Sequence, residues 1–316
     1  MAKTLYIVIP CYNEQEVLNY TSEVLKPKLE TLIKQDKISN DSKVLFVNDG
    51  SKDNTWQIIK DLSRDNLFSG LSLSRNRGHQ NALLAGLMTA KNYADIVISM
   101  DADMQDDINV IDKFIDKYNE GYDIVYGVRS SRKTDTFFKK NTALLFYKIM
   151  KHLGVETVYN HADYRLMSKR ALEGLSKFEE VNLFIRGLVP MIGYKSTIVE
   201  YERKERYAGE SKYPLKKMTA FAIDGITSLS IKPITIITWM GLIIFFLSLI
   251  ALIYVLIIKL TGYVELGWSS IVVSIWLLGG LQLFAIGIIG EYIGKIYKET
   301  KHRPRYIIEE NLLENK

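Results

Sequence analysis

The sequence predicts an α/β fold, a mostly parallel sheet covered by helices, followed by a two-helix hairpin that lies in a membrane. Three observations carry this. Short β-rich runs alternate with segments of helical period through the first 205 residues. Four of those runs end in polar clusters rich in Asn, Asp, Gly and Ser. Two stretches of 25 residues without a charge, Ile234–Ile258 and Leu266–Gly290, follow near the C-terminal end.

The β-rich runs are Leu5–Ile9, Lys43–Asn48, Gly70–Ser74, Asp95–Met100 and Asp123–Gly127. Helical period marks Val17–Lys34, Gln80–Lys91 and Val110–Asn119. Strands separated by helices imply crossover connections, hence parallel strands with helices on both faces. The first run is too short for the core of an export signal, and Pro10, Asn13 and Glu14 follow it, so it reads as a strand.

Each uncharged stretch exceeds the roughly 20 residues that cross about 30 Å of hydrocarbon as a helix. Trp239, Tyr254, Tyr263 and Trp268 fall near the ends, where amphipathic rings favour the interface. Arg203, Lys204, Arg206, Lys212, Lys216, Lys217 and Lys232 precede the first span. Lys295, Lys298, Lys301, Arg303 and Arg305 follow the second, and the turn between spans holds Lys259 alone. Positive flanks stay inside, so both termini and the front section are expected at the cytoplasmic face of the plasma membrane. The expected organisation is a catalytic domain over 1–205, a basic juxtamembrane loop and amphipathic helix over 206–232, the hairpin over 233–297, and a cytoplasmic tail over 298–316. A helix over Thr136–Leu153, carrying Lys139, Lys140, Lys148 and Lys151 beside Phe137 and Phe138, suits a bilayer surface and an ordinary solvated surface equally.

Bulk composition narrows the function classes. The net charge of +5 over 316 residues is too small to argue for nucleic acid. With Cys11 as the single cysteine, no intrachain disulfide forms.

The chemistry gathers at the strand ends, which in such sheets is where ligands bind. They read Pro10-Cys11-Tyr12-Asn13-Glu14, Asn48-Asp49-Gly50-Ser51, Ser74-Arg75-Asn76-Arg77-Gly78-His79 and Asp101-Ala102-Asp103-Met104-Gln105-Asp106-Asp107. Asp101 and Asp103 flank one residue at a strand terminus, so extended geometry sends both carboxylates to one side. Hard oxygen ligands so placed suit Mg²⁺ or Mn²⁺, with phosphate oxygens completing the shell. Such an ion stabilises a departing diphosphate as a Lewis acid. A solvated acidic turn or a helix cap is the plainer reading of the same residues. The four histidines, His79, His152, His161 and His302, show no metal-ligand spacing and receive no role. Gly290 and Gly294 form a small-residue pair at the end of the second span, a weak helix-contact signal.

Together these motifs resemble the signature series of family-2 glycosyltransferases with the GT-A fold, and more closely those acting on polyprenyl phosphates. Asp163-Tyr164-Arg165-Leu166-Met167, Arg206-Tyr207-Ala208-Gly209-Glu210-Ser211-Lys212-Tyr213 and the hairpin extend the resemblance over essentially the whole chain. It implies a UDP-sugar donor, a polyprenyl phosphate acceptor and a membrane lipid environment; a homo-oligomer is left open. Pro10, Tyr12 and Glu14 would line the nucleotide pocket, with Asp49 on the uracil and Gly50, Ser51, Arg75, Asn76 and Gly78 on the same rim. Asp101, Asp103 and Gln105 would hold the metal and the diphosphate. Arg129 would meet phosphate, as a guanidinium fork does well, and Arg206, Ser211, Lys212 and Tyr213 would close over the donor and acceptor phosphates.

For Asp163 two readings stand. Inverting relatives use a carboxylate base, but a phosphate acceptor with a second pKa near 6 is already ionised at neutral pH. Asp163 then orients the site or interacts with the metal, or makes a structural hydrogen bond to Arg165 or backbone. Two further functions compete with lipid glycosylation. A processive polysaccharide synthase would carry a Gln-x-x-Arg-Trp motif, whereas none of Trp56, Trp239, Trp268 and Trp276 follows an arginine. A non-catalytic nucleotide-sugar-binding module would have degraded metal ligands, whereas Asp101, Asp103 and Gln105 are intact.

Overall fold

The computed structural model describes residues 2–130, 161–202, 226–228, 230–261 and 267–314. The expected helix over 136–153, the loop residues Arg206, Ser211, Lys212 and Tyr213, and most of the amphipathic run over 213–229 lie outside the described residues.

The chain runs β1 (Leu5–Cys11), α1 (Leu18–Lys34), β2 (Lys43–Asn48), α2 (Thr55–Leu62), β3 (Phe68–Leu73), α3 (His79–Ala90), β4 (Ile96–Ser99), α4 (Val110–Asn119) and β5 (Ile124–Arg129). Then follow β6 (His161–Ser168), α5 (Lys169–Leu175), α6 (Ile185–Met191), β7 (Ser196–Tyr201), α7 (Lys232–Thr261), α8 (Trp268–Thr300) and β8 (Ile308–Asn311). One sheet of eight strands takes the order β7-β5-β6-β4-β1-β2-β3-β8. The expected parallel character holds for β4-β1-β2-β3 and for β5-β7, while β6 and β8 run antiparallel to their neighbours. The sheet is therefore mixed.

Alternation along β1 builds two cores. Leu5, Ile7 and Ile9 face Leu25, Leu29 and Leu32 of α1 and Ile111, Phe114 and Ile115 of α4. Tyr6 and Val8 face the other way, onto Leu83, Leu84 and Leu87 of α3 and onto α5 and α6. Period two on the strand thus meets period 3.6 on the helices on both faces. Helix α3 sits directly on the sheet: a Cβ added at Gly86 would lie 2.4 Å from Val8 Cγ1 and 2.6 Å from Val47 Cγ2. That close approach fixes the start of α3 at the carboxyl rim.

Both uncharged stretches lie in helices, α7 over Lys232–Thr261 and α8 over Trp268–Thr300. Helix α8 continues past Gly290 to Thr300; no proline interrupts it before Pro304. Its charged last turns are used in contacts, as when Lys295 Nζ donates to Ser228 Oγ at 2.8 Å. Among the described residues, the stretch Leu277–Thr300, with a mean hydropathy of 1.5, is long and apolar enough to cross a membrane, and Lys232–Ile244 is a shorter apolar stretch. Both helices expose large apolar side chains, including Trp239, Phe246, Ile250, Ile275, Leu283 and Phe284.

The stretch expected as a tail over 298–316 contributes a strand to the sheet. Strand β8 pairs antiparallel with β3 and completes the sheet edge. Ser74 N–H donates to the Ile307 carbonyl at 3.0 Å, Leu312 N–H to the Gly70 carbonyl at 2.9 Å, and Trp56 Nε1 to Glu310 Oε2 at 3.0 Å.

Candidate active site

The ends of β1 and β2 are stitched into one surface. Asn13 N–H donates to Ser51 Oγ at 3.0 Å, Lys52 N–H to Asn13 Oδ1 at 2.9 Å, and Glu14 N–H to Thr55 Oγ1 at 2.9 Å. Pro10 is buried at the end of β1, and Tyr12 stands exposed just beyond it. Gly50 adopts φ +63°, and a Cβ there would lie 2.5 Å from Arg75 C and Asn76 N, so only glycine lets the two loops touch. Beside it, the buried Asp49 accepts from Arg77 N–H at 2.7 Å and Gly78 N–H at 2.9 Å. Burial pushes the Asp49 carboxyl up, and the two amides oppose it. Arg75 and Asn76 are left exposed on the rim, while Gly78, at φ +87°, turns the chain into α3.

Strand β4 stops at Ser99, and Asp101–Met104 form a turn with Met104 at φ +53°. The extended geometry expected for the Asp-x-Asp pair is thus replaced by a tight turn, whose left-handed residue lets the chain reverse. Three bonds brace it: Thr21 Oγ1 donates to the Ala102 carbonyl at 2.8 Å, Tyr164 Oη to the Asp107 carbonyl at 3.1 Å, and Tyr201 Oη to Asp106 Oδ1. Gln105 N–H donates to Asp103 Oδ1 at 3.3 Å. Burial, then the charge of Asp101, pushes the Asp106 carboxyl up to about 7 against the pull of Tyr201 and Arg129. Arg129, half-buried at the end of β5, is thereby brought to the same acidic turn.

The reversal of β6 explains Asp163. Ser99 at the end of β4 pairs with Arg165, and its Oγ donates to the Asp163 carbonyl, so the reversed strand brings Asp163 to the end of β4. Asp163 Oδ1 accepts from Arg165 Nη2 at 2.6 Å and Arg186 Nε at 3.1 Å, and Oδ2 from Arg186 Nη2 at 2.8 Å. His79 Nε2 lies 3.6 Å from Asp163 Oδ2 and 3.8 Å from Asp101 Oδ1, bridging the two carboxylates. Burial would raise the Asp163 carboxyl, but Arg186, His79 and Arg165 hold it well below the usual carboxylate range. Asp101 moves the other way, raised by burial and by Asp163 and Asp103, with His79 opposing. His79 stood in the third polar strand end yet received no role, and Arg186 had no sequence signal beyond its residue type. The lone histidine after Gly78 carried no ligand spacing, and Arg186 meets Asp163 only through tertiary folding.

Carboxylate oxygens are the donors a small hard cation takes; Asp101 and Asp103 offer them, and Gln105 follows directly after their turn. Among the described residues no group of three or more His, Cys, Asp or Glu side chains surrounds one point. Mg²⁺ is typically held by one or two carboxylates plus substrate phosphates and water. When bound, it would supply Lewis-acid stabilisation of a departing diphosphate.

A mixed sheet flanked by helices, with an Asp-x-Asp turn and polar strand-end loops on its carboxyl rim, is a GT-A-like α/β fold. The chain belongs to glycosyl transferase family 2, whose profile matches residues 6–176. It is 58% identical to the uncharacterized glycosyltransferase YkoT of Bacillus subtilis (strain 168) over 309 residues, 98% of this chain and 92% of that one. It is 40% identical to the bactoprenol glucosyl transferase of Shigella phage SfV over 305 residues, 96% of this chain and 97% of that one. Among solved structures it aligns with mannosyl-3-phosphoglycerate synthase from Rubrobacter xylanophilus at 15% identity and TM-score 0.47, over 71% and 72% of the two chains.

Proposed function

We propose that the protein transfers a sugar, glucose or N-acetylglucosamine, from a UDP-sugar to polyprenyl (undecaprenyl) phosphate at the cytoplasmic membrane face. An oxygen of the acceptor phosphate attacks the anomeric carbon, the bond from that carbon to the diphosphate breaks, and UDP leaves with the electron pair. Attack opposite the leaving group inverts the anomeric configuration. The observation that carries the reading is the similarity to a bactoprenol glucosyl transferase along nearly the whole chain, both apolar helices included.

In this reading Asp101, Asp103 and Gln105 hold Mg²⁺ or Mn²⁺ and the diphosphate. Pro10, Tyr12, Glu14, Gly50, Ser51, Arg75, Asn76 and Gly78 line the nucleotide. Asp49 already accepts from two amides, so a bond to uracil uses a remaining lone pair. Arg129 meets phosphate, and Arg206, Ser211, Lys212 and Tyr213 close over it. Asp163 orients the site rather than taking a proton: a carboxylate held so acidic is a poor base, and the phosphate acceptor needs none.

Helices α7 and α8 are the membrane hairpin of this reading. The catalytic domain precedes α7, and β8, after α8, pairs with β3 of that same domain. A chain tied to one side at both ends crosses a bilayer an even number of times. Basic flanks favour the cytoplasm for that side.

Mass spectrometry of lipid products, after offering UDP-glucose, UDP-N-acetylglucosamine and GDP-mannose with undecaprenyl phosphate, tests this. A lipid-linked monosaccharide from a UDP-sugar is expected. A polymeric product, or donor binding with no lipid product, contradicts it.

A further inference from the structure

The last turn of α8 ends against the catalytic domain. Glu299 Oε2 accepts from Val181 N–H at 2.9 Å, and Oε1 accepts from Asn182 N–H at 2.8 Å and Asn182 Nδ2 at 2.6 Å. One carboxylate thus caps three donors of the turn that leads into α6. Charge-assisted bonds of this kind are among the stronger hydrogen bonds. Neighbouring contacts reinforce the joint: Asn182 Nδ2 also donates to the Lys295 carbonyl at 3.2 Å, and Arg305 Nη1 to the Phe178 carbonyl at 2.9 Å.

Three residues further on, α6 begins at Ile185, whose N–H donates to Gln80 Oε1 at 2.8 Å, beside His79 at the start of α3. Arg186 is the next residue, and it clasps Asp163 through Nε and Nη2. Asp163 stands against His79, and His79 against Asp101. Short polar contacts and one short helix therefore connect the end of the long apolar helix to the acidic turn.

We propose that Glu299 is a positioning residue: by capping the 181–182 turn it sets where α6 presents Arg186 to Asp163. Movement of α8 in the bilayer is then felt at the site that receives the lipid phosphate. This deepens the proposed function, whose lipid acceptor gives the coupling its use, while the physical linkage stands apart from that reading.

Two readouts on the full chain in lipid nanodiscs test it. The first needs no turnover: hydrogen exchange of the peptide covering Val181–Met191 in wild type and Glu299→Ala. Loss of α6 protection with β1 and β2 unchanged is expected; unchanged α6 protection overturns the proposal. The second is kinetic. Glu299→Ala is expected to lower kcat by about tenfold with donor KM within about twofold, and to add less than about twofold in an Arg186→Ala background, because residues acting through one another are non-additive. Effects that multiply fully overturn the proposal. Wild type that transfers no sugar to any lipid phosphate sinks the function instead, and the exchange result still decides the role of Glu299.

Discussion

Asp163 separates two roles that one carboxylate can fill. As a base it would need a pKa near the working pH; as an anchor it needs cations. It has Arg165, Arg186 and His79. Its folded carboxyl is held low, so the stability it contributes is present above the unfolded value near 4 and is lost only as pH falls through the folded value. A pH–rate profile is therefore expected to show no limb from Asp163 between about pH 5 and 9. Asp163→Asn leaves the almost fully buried Arg165 uncompensated; a loss of about 3 kcal/mol is expected in denaturant unfolding. An unfolding curve matching wild type contradicts the anchor role. Asp103→Ala, by contrast, is expected to keep the fold and cut kcat by about 10³-fold, measured by lipid-product formation with secondary structure checked by circular dichroism. The acidic turn was legible because Asp101 and Asp103 follow an apolar strand. Its partners were not: His79 and Arg186 reach it through the helix–sheet contact at Gly86 and through the reversed β6, and neither leaves a local pattern.

Strands β1 to β5 were legible, and β1, β2, β4 and β5 most plainly so because buried strands read as near-continuous apolar runs. Strand β6 hides a buried Arg165 and Asp163 in its middle, and β8 reads as charged tail because Glu309 and Glu310 lie at a sheet edge. An edge strand carries charge at little cost and shields its neighbour from other chains. Removing residues 301–316 uncovers β3. Such a chain is expected to melt about 5 °C lower in a thermal scan and to self-associate at the β3 edge. A melting point equal to wild type would show that β8 is ornamental.

At the scale of the molecule, the pairing of β8 with β3 links the topology of the hydrophobic helices to the catalytic sheet. The uncharged runs made both helices legible, though not the extension of α8 to Thr300, since Glu291, Lys295 and Glu299 read as the end of an apolar segment. The single native cysteine suits a topology experiment. Cys11 is buried, and burial, with the nearby Glu14, pushes its thiol up, so it reacts slowly in the folded chain. Tyr263→Cys is expected to label with an impermeant maleimide from the outer face of intact cells, and Ala2→Cys only after lysis. Labelling of both from one side would leave the even number of crossings intact but would show that α7 and α8 do not span.

Sugar transfer to undecaprenyl phosphate, followed against added Mg²⁺ or Mn²⁺ in wild type and Asp103→Ala, probes the acidic turn where the proposed function puts the chemistry. Turnover that vanishes with chelator, returns on adding either ion in wild type, and stays absent in Asp103→Ala is the expected result. Turnover indifferent to chelator, or preserved in Asp103→Ala, would contradict it.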